Sequence, residues 1–254
     1  MFLKKVFNFV LFFSLILSLS LGCGGCSRSL PKSGLVKWVI DGDTIVLESG
    51  EKVRYLGIDT PEMTSNQVWA KEAWEYNRKL VGGKRVYLEY DQIKRDRYNR
   101  LLAFVWVGKE MVNKKLVRKG LAYVYYIFPN EKHANQLVRA QDEAMRDKVG
   151  LWRYPGVVSP GTLRDWDDYT RAVKGKICRV FSTGKGIYLL FTCSPENWAG
   201  FYLPYSRFVG VDLERYRNLM GRSVIGVGKV RCSRDHCRVL ILDRYQIKIL
   251  KKED

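Results

Sequence analysis

Histidine is scarce in this sequence of 254 residues, which contains only His133 and His236. His133 lies in "NEKHANQLVRAQ", at the predicted start of a helix, and His236 lies between two cysteines. Neither has the neighbours that a Ser-His-Asp triad or a histidine-rich metal centre requires. If the chain is an enzyme, carboxylates and arginines must therefore carry its chemistry.

Acidic residues are also few: 26 Asp and Glu stand against 44 Lys and Arg, which gives a net charge of +18. This excess favours a polyanionic partner, either nucleic acid or an anionic membrane surface. A basic surface without a partner remains the alternative, because charge alone identifies no ligand. Hydrophobic residues make up 46% of the chain, so its composition is that of a globular protein.

The N-terminal segment has the pattern of a secretory signal peptide. Lys4 and Lys5 precede an apolar run that contains no charge until Arg28. The run ends in "LSLGC", which is similar to a bacterial lipoprotein cleavage site with Cys23 as the lipid-bearing residue, although Ser20 departs from that pattern.

We therefore predict a signal peptide over 1–22 and a tether over 23–33. The protein would be exported to the cell envelope, on the periplasmic or extracellular face, and would be held on the membrane by a lipid at Cys23. An uncleaved membrane-spanning anchor and simple cleavage with release remain the alternatives.

Apart from Cys26, which lies close to Cys23, the other cysteines fall late in the chain, at Cys178, Cys193, Cys232 and Cys237. In an oxidising compartment four such cysteines indicate two disulfides. "CSRDHC" would place Cys232 and Cys237 across a tight hairpin, and the segment from Cys178 to Cys193 reads as two strands around a turn. A structural zinc site is the alternative, although one Cys-x4-Cys spacing matches zinc ligation loosely.

The hydrophobic pattern predicts a mainly β protein with helices. Three strands, a helix, two strands and a helix favour a five-stranded barrel of the OB-fold type over 34–155. Prolines and glycines predict a linker over 156–172. Further strands over 173–254 predict a second, smaller OB-like β-barrel.

The stretch "VKWVIDGDTIVLESGEKVRYLGIDTPE" holds more charge than a buried strand meander usually does. Its acids are Asp41, Asp43, Asp59 and Glu62, and a single arginine, Arg54, stands between them. Hard divalent cations prefer carboxylate oxygens, and an arginine beside such a site can hold a phosphate. Ordinary turns and a simple ion pair remain the alternative reading of these residues.

Three motifs of the sequence resemble the staphylococcal nuclease family, also called thermonucleases. They are "VIDGDTIVL", "VRYLGIDTPE" and "DRYNRLLAFVWVGKEMVNKKLVRKGLA", and "GLW" after the last helix of this region also fits the family. The motifs occur in the order typical of the family. The resemblance covers roughly residues 34 to 153.

The resemblance implies a role for each matching residue. Calcium would be bound by the side chains of Asp43 and Asp59 and by the carbonyl of Thr60. Glu62 would act as the general base near metal-bound water. The remaining matches would contact the substrate: Arg54 and Arg100 its scissile phosphate, Tyr98 and Tyr126 its nucleotide.

The same resemblance implies hydrolysis of DNA and RNA to 5′-hydroxyl and 3′-phosphate ends. Three features depart from the family pattern: a short loop after "DTPE", Asn99 where glycine is common, and Phe128 in place of a tyrosine. A catalytically weak nucleic-acid or protein binding module on the same fold is the alternative function. A lipid-anchored protein with a basic surface would explain the charge but not the acids.

The predicted C-terminal barrel is rich in aromatic and basic residues. OB-type barrels bind single strands through a basic groove and aromatic stacking, so an accessory nucleic-acid grip is one prediction. Protein docking is the other, although the sequence indicates no particular protein partner. Each aromatic residue could instead belong to the core; the candidates are Tyr188, Phe191, Trp198, Phe201 and Tyr202.

Overall fold

The computed structural model describes residues 29–63, 67–153, 156–192, 194, 198–206 and 213–250. The predicted signal peptide, with Cys23, lies outside these residues, and so does Cys193. No helix in the described part of the chain is long and apolar enough to cross a membrane.

Five strands of the N-terminal region close into a barrel. Four neighbouring pairs are antiparallel, and the barrel is closed by the parallel pairing of β3 with β6. This barrel and the further β-sheet of the C-terminal region confirm the predicted fold class of a mainly β protein with helices. The barrel strands are β1 (Ser33–Val39), β2 (Thr44–Leu47), β3 (Lys52–Tyr55), β5 (Arg85–Glu89) and β6 (Leu101–Val107).

Shorter elements surround the barrel. Helix α1 begins at Ala70 and buries every third or fourth residue, including Ala73 and Asn77, against the barrel. Glycines 82 and 83 follow its last residue. The elements are β4 (Ile58–Asp59), β7 (Glu110–Met111), β8 (Tyr123–Val124), α1 (Ala70–Val81), α2 (Val112–Arg118) and α3 (Ala134–Arg146).

In its described residues, the C-terminal region is an eight-stranded sheet with a short α-helix, α4 (Leu213–Arg217). The strand order is β11-β12-β13-β15-β14-β10-β9, and β16 also pairs with β14. The strands are β9 (Val157–Val158), β10 (Thr170–Lys176), β11 (Arg179–Thr183), β12 (Gly186–Leu190), β13 (Trp198–Pro204), β14 (Ser223–Cys232), β15 (His236–Leu240) and β16 (Ile247–Ile249).

The predicted linker over 156–172 is folded. It contains β9, a 3₁₀ helix over Pro160–Trp166 and the first residues of β10. Proline fits the first turn of that helix, because the backbone N–H it lacks would have no partner inside the helix there. The prolines and glycines that predicted a linker therefore mark turns of the sheet region.

The two β regions share part of their apolar interior, which we call the shared core. Residues Lys32–Asp254 accordingly form one compact unit. The domain boundary at residue 155 stays a prediction. The shared core consists of Tyr123, Ala144, Leu151 and Trp152 from the N-terminal region and of Ala172, Ile225 and Val227 from the C-terminal sheet.

Cys232 and Cys237 form a disulfide across the β14–β15 hairpin, with their Cα atoms 4.1 Å apart. This pairing confirms the sequence prediction and removes the zinc alternative for these two residues. Cys178 is disulfide-bonded as well.

Candidate active site

The carboxylate of Asp43 lies at the centre of the candidate site. Asp43 is buried and stands directly before β2. Its Oδ2 accepts hydrogen bonds from the backbone N–H and the hydroxyl of Thr60, at 2.8 and 3.1 Å. Its Oδ1 accepts from the hydroxyl of Thr44 and lies 3.1 Å from Nε of Arg54. The structure thus joins the two acidic motifs.

Arg54, on β3, ties the two predicted metal-binding carboxylates together. Its Nε faces Asp43, and its Nη2 donates to Oδ1 of Asp59 at 2.8 Å. Nη1 donates to the carbonyl oxygens of Tyr55 and Ile58, at 2.7 and 2.8 Å. The guanidinium is therefore fixed by backbone on one side and by carboxylates on the other.

A second layer of contacts holds the loop that carries Asp41. Asn77 of α1 donates to the carbonyl of Asp41 at 3.1 Å and accepts from the hydroxyl of Tyr55 at 2.9 Å. Gly42 lies so close to α1 that a Cβ there would come within 2.8 Å of the Cβ atoms of Thr60 and Ala73. Glycine is needed at this position because the loop packs directly onto the helix.

Negative charge is in excess at this site. The four carboxylates of Asp41, Asp43, Asp59 and Glu62 all act on the single guanidinium of Arg54. Burial opposes the charge of Arg54, but Asp43 and Asp59 outweigh it and raise the pKa of the guanidinium. Burial raises the pKa of Asp41 to about 7, with repulsion from Asp43 added, and that of Asp59 to about 6 in spite of Arg54.

Glu62 lies at the exposed edge of the site. Its backbone N–H donates to the side chain of Gln67 at 3.3 Å, and no hydrogen bond to its carboxylate occurs among the described residues. The carboxylate lies close enough to act electrostatically on Asp41, Arg54 and Asp59. Glu62 can therefore accept a proton while facing the acidic cluster.

Arg100 lies on the neighbouring strand but outside the cluster. It stands just before β6, whose Leu102 is the register partner of Arg54. Its Nε donates to Asp96 at 2.7 Å, and its guanidinium lies 5.6 Å from the centre of the Tyr98 ring. The structure thus brings Arg100 to the same side of the barrel while its side chain is paired elsewhere.

The turn before Arg100 presents Tyr98 to solvent, with 64% of this residue exposed. Asp96 accepts the backbone N–H groups of Tyr98 and Arg100 and so closes the turn. Asn99 has φ of +62°, a left-handed conformation that asparagine tolerates better than most residues. Asn99, in place of the glycine common in the family, is therefore compatible with this turn.

Tyr126 has a different environment from Tyr98. Its side chain is fully buried, its hydroxyl donates to the carbonyl of Lys132 at 3.1 Å, and its ring packs against Tyr245 of the C-terminal region. A nucleotide contact requires an exposed ring, which Tyr98 has and Tyr126 lacks. Phe128, the residue in the position of a family tyrosine, is 45% exposed.

Sequence reasoning missed Thr170. Its hydroxyl donates to Oδ2 of Asp59 at 3.1 Å, across 111 positions of sequence. Thr170 begins β10, so the C-terminal sheet contacts the candidate site directly. No local pattern marks this residue, because its role depends on how the two β regions pack.

The donor set fits a hard divalent cation. The carboxylates of Asp43 and Asp59 are held by one guanidinium, the Thr60 backbone lies against Asp43, and the surplus of negative charge favours a bound cation. Within the described residues, no group of three or more His, Cys, Asp or Glu side chains is arranged to hold a metal. Water or substrate oxygens would therefore complete the coordination.

Comparisons with known proteins match the N-terminal region of this chain to one family. The sequence model of the family described as "Staphylococcal nuclease homologue" matches residues 52–154. The chain is 42% identical to the thermonuclease of Staphylococcus intermedius over 128 residues, which cover 48% of this chain and 76% of the relative.

Two further relatives are similar in sequence to the same extent. The thermonuclease of Staphylococcus hyicus is 39% identical over 135 residues, covering 50% of this chain and 80% of the relative. Endonuclease YncB of Bacillus subtilis is 40% identical over 129 residues, covering 47% of this chain and 61% of the relative.

Proposed function

Because this chain belongs to the staphylococcal nuclease homologue family, we propose that it is a calcium-dependent nuclease acting on DNA and RNA. Hydrolysis of the phosphodiester bond would leave 5′-hydroxyl and 3′-phosphate ends. The observation that carries the proposal is the single Arg54 guanidinium that joins the carboxylates of Asp43 and Asp59. An arginine and a cation site at one place suit a phosphodiester, whose charge rises as it is attacked.

Asp43 and Asp59, with the carbonyl of Thr60, would hold the calcium ion. Bound there, calcium would supply positive charge beside the scissile phosphate. A cation also explains why four acids collect around one arginine, since their negative charge needs a partner. Both carboxylates are already held in place by Arg54, so the protein itself orients the donors.

The arginines would bind the phosphate and offset its developing charge. Arg54 would exchange its carboxylate contacts for phosphate oxygens while the carbonyls of Tyr55 and Ile58 hold its Nη1 in place. Arg100 would leave Asp96, which is its partner in this structure, and reach the phosphate from the neighbouring strand. The planar fork of a guanidinium suits two phosphate oxygens at once.

Glu62 would take the proton of the attacking water at its free carboxylate. The water oxygen forms the new bond to phosphorus, the bond from phosphorus to the 5′-oxygen breaks, and that oxygen takes up a proton as the 5′-hydroxyl. The phosphate remains on the 3′-oxygen of the other fragment. No covalent enzyme intermediate is required.

The test uses the purified chain with single-stranded DNA, duplex DNA and RNA, in calcium or in a calcium chelator. We expect cleavage in calcium and none in chelator, with recovery when calcium is restored. Products should accept a 5′-phosphate from polynucleotide kinase without prior phosphatase treatment, because their 5′ ends are hydroxyls. Asp43→Asn protein purified in parallel controls for contaminating nucleases. Full cleavage in chelator would reject calcium dependence, and no cleavage under any condition would reject the nuclease.

Export and lipid anchoring belong to the same proposal. They are supported by the basic start, the apolar run and the cysteine at the end of the first 23 residues. A disulfide between Cys232 and Cys237 also suits an oxidising compartment. The nuclease would then act at the cell envelope, on nucleic acid outside the cytoplasm.

A further inference from the structure

The outer face of the C-terminal sheet carries aromatic rings in register on three adjacent strands. Phe181 on β11 is opposite Tyr188 on β12, and Tyr188 is opposite Tyr202 on β13. The rings stack, with centroids 5.1 Å apart for the first pair and 4.7 Å for the second. Trp198 on β13 packs edge-on against Tyr188 at 5.5 Å.

These rings are not part of the interior. The alternate residues of the same strands, Ile187, Leu189, Phe201 and Leu203, point into the core and are at most 1% exposed. Because side chains alternate across a strand, the stacked rings must lie on the opposite face. There they remain partly exposed.

The structure also divides the aromatic candidates of the sequence into two groups. Phe191 and Phe201 pack edge to face in the core region, with their ring centroids 4.7 Å apart. For these two residues the alternative of a place in the core applies. Tyr188, Trp198 and Tyr202 lie on the outer face. An aromatic surface therefore remains after the core has been filled.

An arginine lies at each end of the row of rings. The Arg179 guanidinium is 5.5 Å from the centre of the Phe181 ring, and that of Arg238 is 5.3 Å from the centre of the Tyr202 ring. Among the described residues, no carboxylate forms an ion pair with either arginine. We call the six residues Arg179, Phe181, Tyr188, Trp198, Tyr202 and Arg238 the aromatic face.

Acids near the aromatic face lie at its border. Asp168 pairs with Lys229 and Arg231 on β14, and Asp235 lies in the β14–β15 hairpin beside His236. His236 stacks on Trp198 at 4.3 Å and so extends the aromatic surface onto β15. The surface thus combines a row of rings with an arginine at each end that no described carboxylate pairs, in a chain of net charge +18.

We propose that the aromatic face is a second nucleic-acid binding site, which holds a single strand through base stacking and phosphate contacts. The inference rests on the proposed function, because the strand it binds is the substrate of the nuclease. Single-strand binding surfaces combine aromatic platforms with cations, and every base can stack on a ring whatever its identity. Unpaired bases are required, so the face favours single strands over duplex.

The geometry indicates how a base would enter. The guanidiniums of Arg179 and Arg238 cover the outermost ring faces of the row. A base could displace either guanidinium and stack on the ring face that it covered. The displaced arginine would then be free to contact the adjacent phosphate. The charge of this surface favours a polyanion, whereas a partly basic protein partner would be repelled.

Binding is measured by fluorescence anisotropy with a labelled single-stranded oligodeoxythymidylate, on the full chain in chelator, where cleavage is not expected. Phe181→Leu should weaken binding about tenfold, because Phe181 is an outer ring of the row, and Phe181→Tyr, which keeps the ring, should bind as the unaltered chain does. Tyr87→Leu is the matched control, because Tyr87 is 53% exposed on β5 of the other region. Thermal melts establish that each variant is folded.

The charged residues are tested in the same assay. The double variant Arg179→Gln with Arg238→Gln should bind more weakly and show a smaller dependence on salt, because fewer phosphates are neutralised. Arg217→Gln, which removes an arginine paired with Glu214 on α4, is the control and should change neither. A labelled duplex of the same sequence should bind more weakly than the single strand.

Cleavage of a dinucleotide separates this inference from the proposed function. The variants of the aromatic face should cleave it at the normal rate while their KM for long single strands rises. If these variants bind the oligodeoxythymidylate like the unaltered chain, the second site is rejected and the nuclease stands. If they lose affinity for anionic lipid vesicles but not for the oligonucleotide, the face is a membrane contact and the inference is wrong. A chain that cleaves nothing but binds the single strand through these residues would reject only the nuclease.

Discussion

The hydroxyl of Thr170 donates to Oδ2 of Asp59 at 3.1 Å, while Oδ1 of the same carboxylate accepts from Arg54 at 2.8 Å. Thr170 belongs to the C-terminal sheet and Asp59 to the N-terminal barrel. The sheet therefore holds one of the two carboxylates proposed to bind calcium. Tyr245 covers Tyr126, and Arg244 pairs with Glu131 at 2.7 Å, so the regions also meet at a second place.

Replacement of Thr170 tests whether this contact matters for calcium. Thr170→Val keeps the shape but removes the donor, and we expect calcium affinity to fall about tenfold, as for a lost hydrogen bond to a charged group. Thr170→Ser keeps the hydroxyl and should retain the affinity. Isothermal titration calorimetry on the full chain measures both, and a thermal melt checks folding. Equal affinities for Thr170→Val and Thr170→Ser would show that Asp59 is oriented without this threonine.

Arg54→Lys keeps the charge but loses the planar fork that spans Asp43 and Asp59. We expect the turnover rate to fall about 10²–10³-fold, the usual loss for one preorganised charged donor. Calcium affinity should change as well, because the two carboxylates lose their common partner. Initial rates at saturating calcium and substrate, with calorimetric calcium titrations, measure both effects. Normal turnover in a folded variant would make Arg54 a structural residue.

Arg100→Lys should separate phosphate contact from calcium binding. Arg100 pairs with Asp96 and, among the described residues, forms no ion pair with Asp43 or Asp59. The rate should therefore fall about 10²–10³-fold, while calcium affinity stays unchanged. A parallel loss of calcium affinity would contradict this assignment.

Glu62→Gln removes the proposed base and keeps nearly the same shape. The rate at saturating substrate should fall, because the side chain can no longer accept a proton from water. Binding of a single-stranded oligonucleotide in chelator should be unaffected, since Glu62 is not needed to hold the strand. Cleavage at the normal rate would assign the base to another group.

The proposed lipid anchor at Cys23 is tested on protein isolated from the membrane of cells that express the full chain. Mass spectrometry should find Cys23 as the first residue, carrying lipid. A Cys23→Ser chain provides the control and should be released or remain uncleaved. An unmodified N-terminus at another residue would reject the lipoprotein proposal while leaving export possible.

The parts of the site that could be predicted are those encoded by short-range sequence. Asp43, Arg54, Asp59 and Thr60 lie within one short meander, in which the pairing of β2 with β3 places Arg54 opposite Thr44, next to Asp43. The barrel could be predicted for the same reason, because alternation along neighbouring strands specifies which residues face inward. The β14–β15 disulfide also followed from a local hairpin.

The parts that could not be predicted depend on contacts between distant segments. Nothing local marks Thr170 as a partner of Asp59, and nothing marks Tyr245 as the cover of Tyr126. The exposure of Tyr98 and the burial of Tyr126 likewise follow from packing, although both are tyrosines near the family motifs. Proline and glycine in the segment 156–172 indicated turns, but not that these turns belong to a sheet.

Because the two regions contribute to one shared core, we expect them to unfold as one cooperative system. If the chain were cut after residue 155, Trp152 and Leu151 would lose the apolar neighbours that Ile225 and Val227 provide. Exposure of these side chains would lower the stability of the fragment in proportion to the apolar area exposed. A substitution deep in the C-terminal sheet should therefore lower the melting temperature of the nuclease barrel too. Substitutions in either region are best compared by the melting temperature of the whole chain.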